Sequence, residues 1–314
     1  MMKLDPLAPP GELIDIGGYR LHLHCTGSGT PTVVLEAGAG EFSSAWSLVQ
    51  PEVAHFTRVC SYDRAGAGWS DSAPASMPRT SDQVVRELHV LLHRAGIRPP
   101  LLLVGHSAGS FHIRLYASRF PQDVSGMVLV DPVHEDDWTA RDPRGRLQAL
   151  RVGTRRLRGY YLLSRLGLVQ LFARFRQPEA IRKLPPHVQV AVRRLAHRPR
   201  TLQAAYREYD SLEESAAQVR EQAGSLGDRP LVVLRPAGAA PPDQEAVETS
   251  GGPSRPAAAD GQAAPVGLWT HGRVVVAQGS GRDILLDEPA LVVEAIREVV
   301  AMVRAAAGPA PEQL

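Results

Sequence analysis

Leu101-Leu102-Leu103-Val104-Gly105-His106-Ser107-Ala108-Gly109 is the stretch on which the reading of this chain turns. Four aliphatic residues in a row suit a strand buried on both faces of a sheet. They run straight into Gly105-His106-Ser107-Ala108-Gly109, and SFHIRLYASRF (Ser110–Phe120) follows with helical spacing. A G-x-S-x-G segment between strand and helix is a sharp turn that holds its serine exposed at the C-terminal edge of the sheet. The crowded backbone demands small flanking residues, and the Ala108 N–H, at the helix start, faces any oxyanion developing on a group attacked by Ser107.

The same alternation extends along the chain. ELIDI and RLHLHC are short, β-like and joined through Gly17-Gly18, as in a hairpin. PTVVLEAG, TRVCSYD and GMVLVD (Gly126–Asp131) are apolar runs of strand length, as are Pro230–Leu234 and Arg273–Ala277, the last expected to be a buried strand meeting a tight turn. Ser44–Ala54, Thr80–Ala95 and Asp287–Arg304 carry helical spacing between or after them. Strands alternating with helices predict an α/β fold, a mostly parallel sheet covered on both faces.

Two stretches depart from that rhythm. Trp138–Arg229 shows no strand pattern and carries 19 Lys/Arg against 8 Asp/Glu, which reads as a helical cap inserted after the sixth strand. The organisation expected is a core over 1–134, a cap over 135–225 and the rest of the core over 226–314. A solvated helix surface accounts for the cap's arginines. An anion-attracting or membrane-facing lid is the alternative, because YYLLSRLGLVQLFARF mixes an apolar face with basic residues. Pro236–Gly267 is rich in Pro, Ala, Gly and Ser and reads as a long loop.

The whole-chain totals narrow the function. At 314 residues, 44% hydrophobic and 22% charged, the chain can bury a sizeable core. A net charge of +2 gives no reason to expect nucleic acid. Cys25 and Cys60 are the only cysteines, so neither a disulfide framework nor a thiolate zinc cluster is expected. Without a signal-like or spanning apolar run, a cytoplasmic protein is expected. The glycine runs lack the setting of a phosphate loop or a dinucleotide fingerprint, so no cofactor and no metal are anticipated.

Several segments together resemble the α/β-hydrolase superfamily, in its epoxide-hydrolase and haloalkane-dehalogenase-like branch of small esterases and lipases. DRAGAGWSD (Asp63–Asp71) is similar to that branch's D-R-x-G-x-G-x-S-D, and GHSAGS to its nucleophile turn. VLVDPVHED is similar to the end of its sixth strand, and DILLDEPALVVEAIREVV to the segment behind its catalytic histidine. The likeness covers roughly residues 11–135 and 226–306. It implies Ser107 as nucleophile and an oxyanion hole formed by the N–H groups of Ala39, in the Ala37–Gly40 turn after the third strand, and Ala108. Asp63 and Arg64 are expected to fix loop structure. Dehalogenases and epoxide hydrolases use an aspartate where this chain has Ser107, so acyl transfer is implied instead.

A serine hydroxyl needs a base to take its proton, and the base needs an orienting carboxylate. Asp131, at the end of GMVLVD, stands where part of the family holds that acid. Asp243 in the Pro/Ala-rich loop is the other candidate, and a loop-anchoring role beside Pro132 is the bland reading of Asp131. The base should follow the last strand in a turn resembling G-S-G-H-D-I, but here the turn is Gly279-Ser280-Gly281-Arg282-Asp283. Arginine stays protonated and offers no acceptor lone pair, so it cannot serve as a base. His271 precedes the final strand at the opposite edge, His106 is expected to point away from Ser107, and His134 is the alternative base. Arg282 is expected to occupy the histidine's place and to pair with Asp131. Three readings follow: a serine hydrolase of small esters or acyl compounds, a non-catalytic binder of small apolar ligands on the same scaffold, or a decayed copy of the enzyme. Substrate and oligomeric state stay open.

Overall fold

The computed structural model describes residues 8–138, 146–172, 179–224, 227–237, 272–280 and 283–307. The loop expected over Pro236–Gly267 lies outside them from residue 238 onward, with Asp243, His271 and Arg282. Eight strands form one sheet: β1 (Glu12–Asp15), β2 (Arg20–Thr26), β3 (Thr32–Glu36), β4 (Val59–Tyr62), β5 (Leu101–His106), β6 (Val124–Val130), β7 (Leu231–Pro236) and β8 (Gly272–Ala277). Their order is β1-β2-β4-β3-β5-β6-β7-β8. The first two pairings are antiparallel, and all those from β4 to β8 are parallel.

The apolar runs form strands because both faces of the sheet are covered, so alternate residues feed two cores. Val34, Leu101, Leu103, Met127, Leu129, Leu231 and Val233 pack on one face. There they meet α2 (Ser81–Arg94), α3 (Gly109–Arg119) and α9 (Leu212–Gln222), through residues such as Leu88, Ile113 and Val219. Val33, Leu35, Leu102, Val104, Val128, Val130, Val232 and Leu234 point the other way, onto Trp46, Val49 and Val53 and the C-terminal helix Pro289–Ala307. Trp46 is fully buried in this core.

Two expectations need correcting. β8 is an edge strand, with Val274 and Val276 substantially exposed, because it pairs only with β7 among the described residues. A run of apolar residues cannot by itself distinguish an edge position from a central one. Cys25 and Cys60 are joined as a disulfide, although two cysteines in a chain of this length suggested none. The antiparallel register of β2 on β4 sets them opposite each other, a relation carried by strand pairing and not by cysteine count.

Between β6 and β7, the described residues form a 3-10 turn, Glu135–Trp138, and then helices. These are α4 (Arg146–Arg165), α5 (Leu168–Phe172), α6 (Glu179–Lys183), α7 (Pro186–Leu195), α8 (Pro199–Asp210) and α9. The Arg114 guanidinium clamps Glu135 through two bonds of 2.7 and 3.0 Å. Burial pushes the Glu135 carboxyl up, but Arg114 outweighs it and holds the group at about 2. This clamp fixes the chain just after β6 to the helix that follows Ser107. No helix among the described residues is long and apolar enough to cross a membrane.

Candidate active site

Ser107 caps β5 with φ +49°, the left-handed region that a side chain seldom adopts. Its N–H donates to Val130 O at 2.9 Å, and its own carbonyl accepts from Ser110 N at 3.0 Å. The flanking glycines are required by space. A Cβ on Gly109 would lie 2.7 Å from Ala37 O, and one on Gly105 would lie 2.8 Å from the Ile113 side chain. Backbone strain of this kind costs on the order of 1–3 kcal/mol and persists where the surroundings enforce it, most often at functional positions.

A second strained residue stands beside the first. Asp131 follows β6 with φ +43°, and its N–H donates to Leu234 O at 2.8 Å. The parallel register pairs Gly105 with Leu129 and His106 with Val130, so Ser107 and Asp131 are the next residues along two adjacent strands. Both sit at the same sheet edge, one strand spacing of ~4.8 Å apart. The structure thus brings the expected nucleophile and the expected acid together.

The turn after β3 is fixed on every side but one. Gly38 N donates to Glu41 Oε2 and Gly40 N to Glu208 Oε2, each at 2.9 Å. Arg64 donates to Ala37 O at 2.8 Å and to Gly38 O at 2.6 Å. Among the described residues the N–H of Ala39 between them meets no acceptor, and neither does that of Ala108. Ala39 and Ala108 border one apolar cluster with Leu147 and Leu150 of α4 and Leu212 of α9. Two donors beside an apolar wall suit a carbonyl oxygen that gains negative charge.

Arg64 is the centre of what holds this turn. Its guanidinium also pairs with Glu36 in β3 and with Glu208 of α8, at 2.8 and 2.9 Å to the latter. Burial pushes the Glu208 and Glu36 carboxyls up. Arg64 outweighs it for Glu208, and His112 with Arg64 does so for Glu36, so both stay below the usual range. Asp63 accepts from Ser43 N and Trp69 N at 2.8 Å each, so this motif fixes loops as its sequence suggested. Glu36, Glu41 and Glu208 were missed by sequence reading. Only Glu36, a charge inside the apolar run of β3, carried a local signal.

The histidines fall as follows. His106 is turned onto Glu41, Nδ1 to Oε2 at 2.9 Å. His112 meets Glu36 at 3.0 Å. His134 Nδ1 accepts from Asp136 N at 3.1 Å within its own turn. Among the described residues no histidine nitrogen bonds the Ser107 hydroxyl. The stem of the turn after β8 is anchored, since Gly279 N donates to Glu288 Oε1 at 2.7 Å. Asp283, just past that turn, acts electrostatically on His106, as does Asp131. Arg282 itself, and the pairing with Asp131 expected of it, lie outside the described residues.

His106 and Glu41 make a pH-sensitive pair. Burial pulls the His106 imidazole down, but Glu41 outweighs it and raises it above its ordinary 6.5. Burial pushes Glu41 up, but His106 outweighs it and lowers the carboxyl below its ordinary 4.5. The pair's stabilisation is full between those ordinary values. It fades as pH rises through the raised imidazole value, and as pH falls through the lowered carboxyl value. The melting-temperature gap between the native protein and Glu41→Gln is expected to peak in that window and narrow on both sides. A gap flat from pH 4 to 9 would exclude the pair as its source.

The sequence profile of the α/β-hydrolase fold matches residues 31–226, and the chain belongs to that family. An uncharacterised protein of Bacillus subtilis strain 168, YqjL, is 40% identical over 122 residues, which cover 38% of this chain and 47% of that protein. Matches to the first known relatives span less than half of their lengths. Among solved structures, epoxide hydrolase CorEH superposes with a TM-score of 0.71 at 16% identity, covering 93% of this chain and 99% of that one. A protein assigned as a lipase from Acinetobacter baumannii AYE gives 0.66 at 17%, covering 96% and 94%. At such identities these two speak for the fold alone.

Proposed function

We propose that the chain is a serine hydrolase of small carboxylic esters or acyl compounds whose turnover is weak or lost because Arg282 stands at the base position. Ser107 Oγ bonds to the acyl carbon, the alcohol departs with the hydroxyl proton, and water then cleaves the acyl-enzyme to release the acid. Ala39 and Ala108 N–H groups hold the oxyanion, Asp131 is the acid, and the helices between β6 and β7 act as a cap over the pocket. The observation that carries this reading is the left-handed Ser107 at the strand tip beside the Ala39 and Ala108 amides. Non-catalytic binding of a small apolar ligand is the second reading, favoured by the lack of a described histidine on the Ser107 hydroxyl.

A fluorophosphonate probe is expected to label the native protein at Ser107 and to leave Ser107→Ala unlabelled. p-Nitrophenyl acetate is expected to give at most a slow turnover that Ser107→Ala removes. An unlabelled native protein, or ester turnover unchanged in Ser107→Ala, would refute the assignment of Ser107. Thermal stabilisation by an ester that is never cleaved would select the second reading.

A further inference from the structure

A pocket that Ser107 does not line lies between the glycine-rich turn after β4 and α8. Gly66 and Ser72 form part of one wall, Arg200, Gln203 and Arg207 the other, and Arg79 closes it. It encloses about 60 Å³, where a single water needs about 10–15 Å³. Three guanidinium groups around so small a space are unusual, since like charges repel most strongly where water is thin.

Their hydrogen bonding is incomplete. Arg79 is 3% exposed and gives both terminal nitrogens to Glu87, at 2.6 and 3.0 Å, yet its Nε–H is buried without an acceptor. Arg200 donates to Gly68 O at 3.1 Å, and its Nε–H is likewise buried and unmet. Arg207 donates to the carbonyls of Ala75, at 3.0 Å, and Met77. Asp71 and Asp63 exert some attraction on Arg200, but Asp71 is held by Arg20 at 2.8 Å and Asp63 by His22 at 3.0 Å. Among the described residues neither Arg200 nor Arg207 has a carboxylate within ion-pair reach.

We propose that this pocket binds a phosphate-class oxyanion between Arg79, Arg200 and Arg207. A tetrahedral anion presents acceptors in several directions at once, as two guanidinium groups from α8 and a third from Arg79, just before α2, require. Two arginines without carboxylate partners match the charge of a dianion better than that of a single carboxylate. The bound group would join the glycine-rich turn to α8, the helix whose Glu208 holds Gly40. It would do so without touching Ser107 or the Ala39 and Ala108 amides.

Melting temperature titrated with inorganic phosphate, against chloride at matched ionic strength, tests this. A rise that grows with the logarithm of phosphate above Kd, about 2 °C at tenfold over Kd, is expected for a domain of this size. The rise should be absent in Arg200→Gln and in Arg207→Gln, while both variants keep native fluorophosphonate labelling of Ser107. Flotation with vesicles containing phosphatidate separates the sources: binding lost in the same variants assigns the site to a lipid headgroup, and no flotation assigns it to a free anion. No response to either probe, or a phosphate response that survives both substitutions, overturns the proposal. Failure of Ser107 labelling in the native protein would bear on the hydrolase reading and leave this site standing.

Discussion

Replacing Arg282 by histidine is expected to raise p-nitrophenyl ester turnover by about 100-fold or more, and Ser107→Ala in that background is expected to abolish the gain. The physical reason is the proton of the serine hydroxyl. A guanidinium carries no lone pair to accept it, whereas a neutral imidazole does. Losing the histidine of an assembled serine triad costs about 10⁶ in turnover, with some 10³–10⁴ over water left from the oxyanion hole and binding. Recovery falls short of the full factor because a new imidazole must find its orientation on a carboxylate. That dependence is itself testable. In the Arg282→His protein, Asp131→Asn should remove most of that gain, since an amide in place of the orienting acid costs an assembled triad about 10⁴. If Arg282→His folds normally but turns over no faster than the native chain, arginine is not what limits the site. If Asp131→Asn then changes nothing, the acid lies elsewhere.

What the sequence made legible was mostly local. The alternation of Leu101–Val104 between two cores follows from burial on both faces, and a strand that runs into G-x-S-x-G has few other forms to take. Asp131 was found because it ends an apolar run at the same edge as Ser107. Relations between distant segments were not legible. Glu208 reaches Gly40 across 168 positions and Arg64 across 144, and nothing around Glu208 marks it as other than a helix-surface acid. Cys25 and Cys60 are 35 positions apart and meet only through the register of β2 on β4. The exposure of Val274 and Val276 depends on β8 lying at the edge of the sheet, which its own composition does not state. The unmet Nε–H groups of Arg79 and Arg200 likewise exist only once α8 has docked against the glycine-rich turn.

Arg64→Met should be among the most destabilising single substitutions in the chain, by about 3–5 kcal/mol, because it strands buried carboxylates. Glu36 is fully buried and Glu208 5% exposed, and in the native protein one guanidinium serves both. Methionine replaces much of the arginine's volume, so the loss reports the unpaired charge and the carbonyl bonds more than a cavity. Lysine would keep the charge but not the planar fork that spans Glu36, Glu208, Ala37 O and Gly38 O, and should fall between the two. The pH dependence has a definite sign. Both carboxyls are held below their ordinary 4.5 in the native protein, so the stability they lend is present above that value and is lost as pH falls. Without Arg64 they would rather be protonated, so the gap between native and Arg64→Met should be widest near neutral pH and close as acid is added. Urea unfolding from pH 4 to 8 measures it, and a gap that widens in acid would rule out the stranded carboxylates as its source. The same substitution frees Ala37 O and Gly38 O, so it should also slow fluorophosphonate labelling of Ser107. That second readout separates a residue that only stabilises the core from one that also positions the Ala39 N–H.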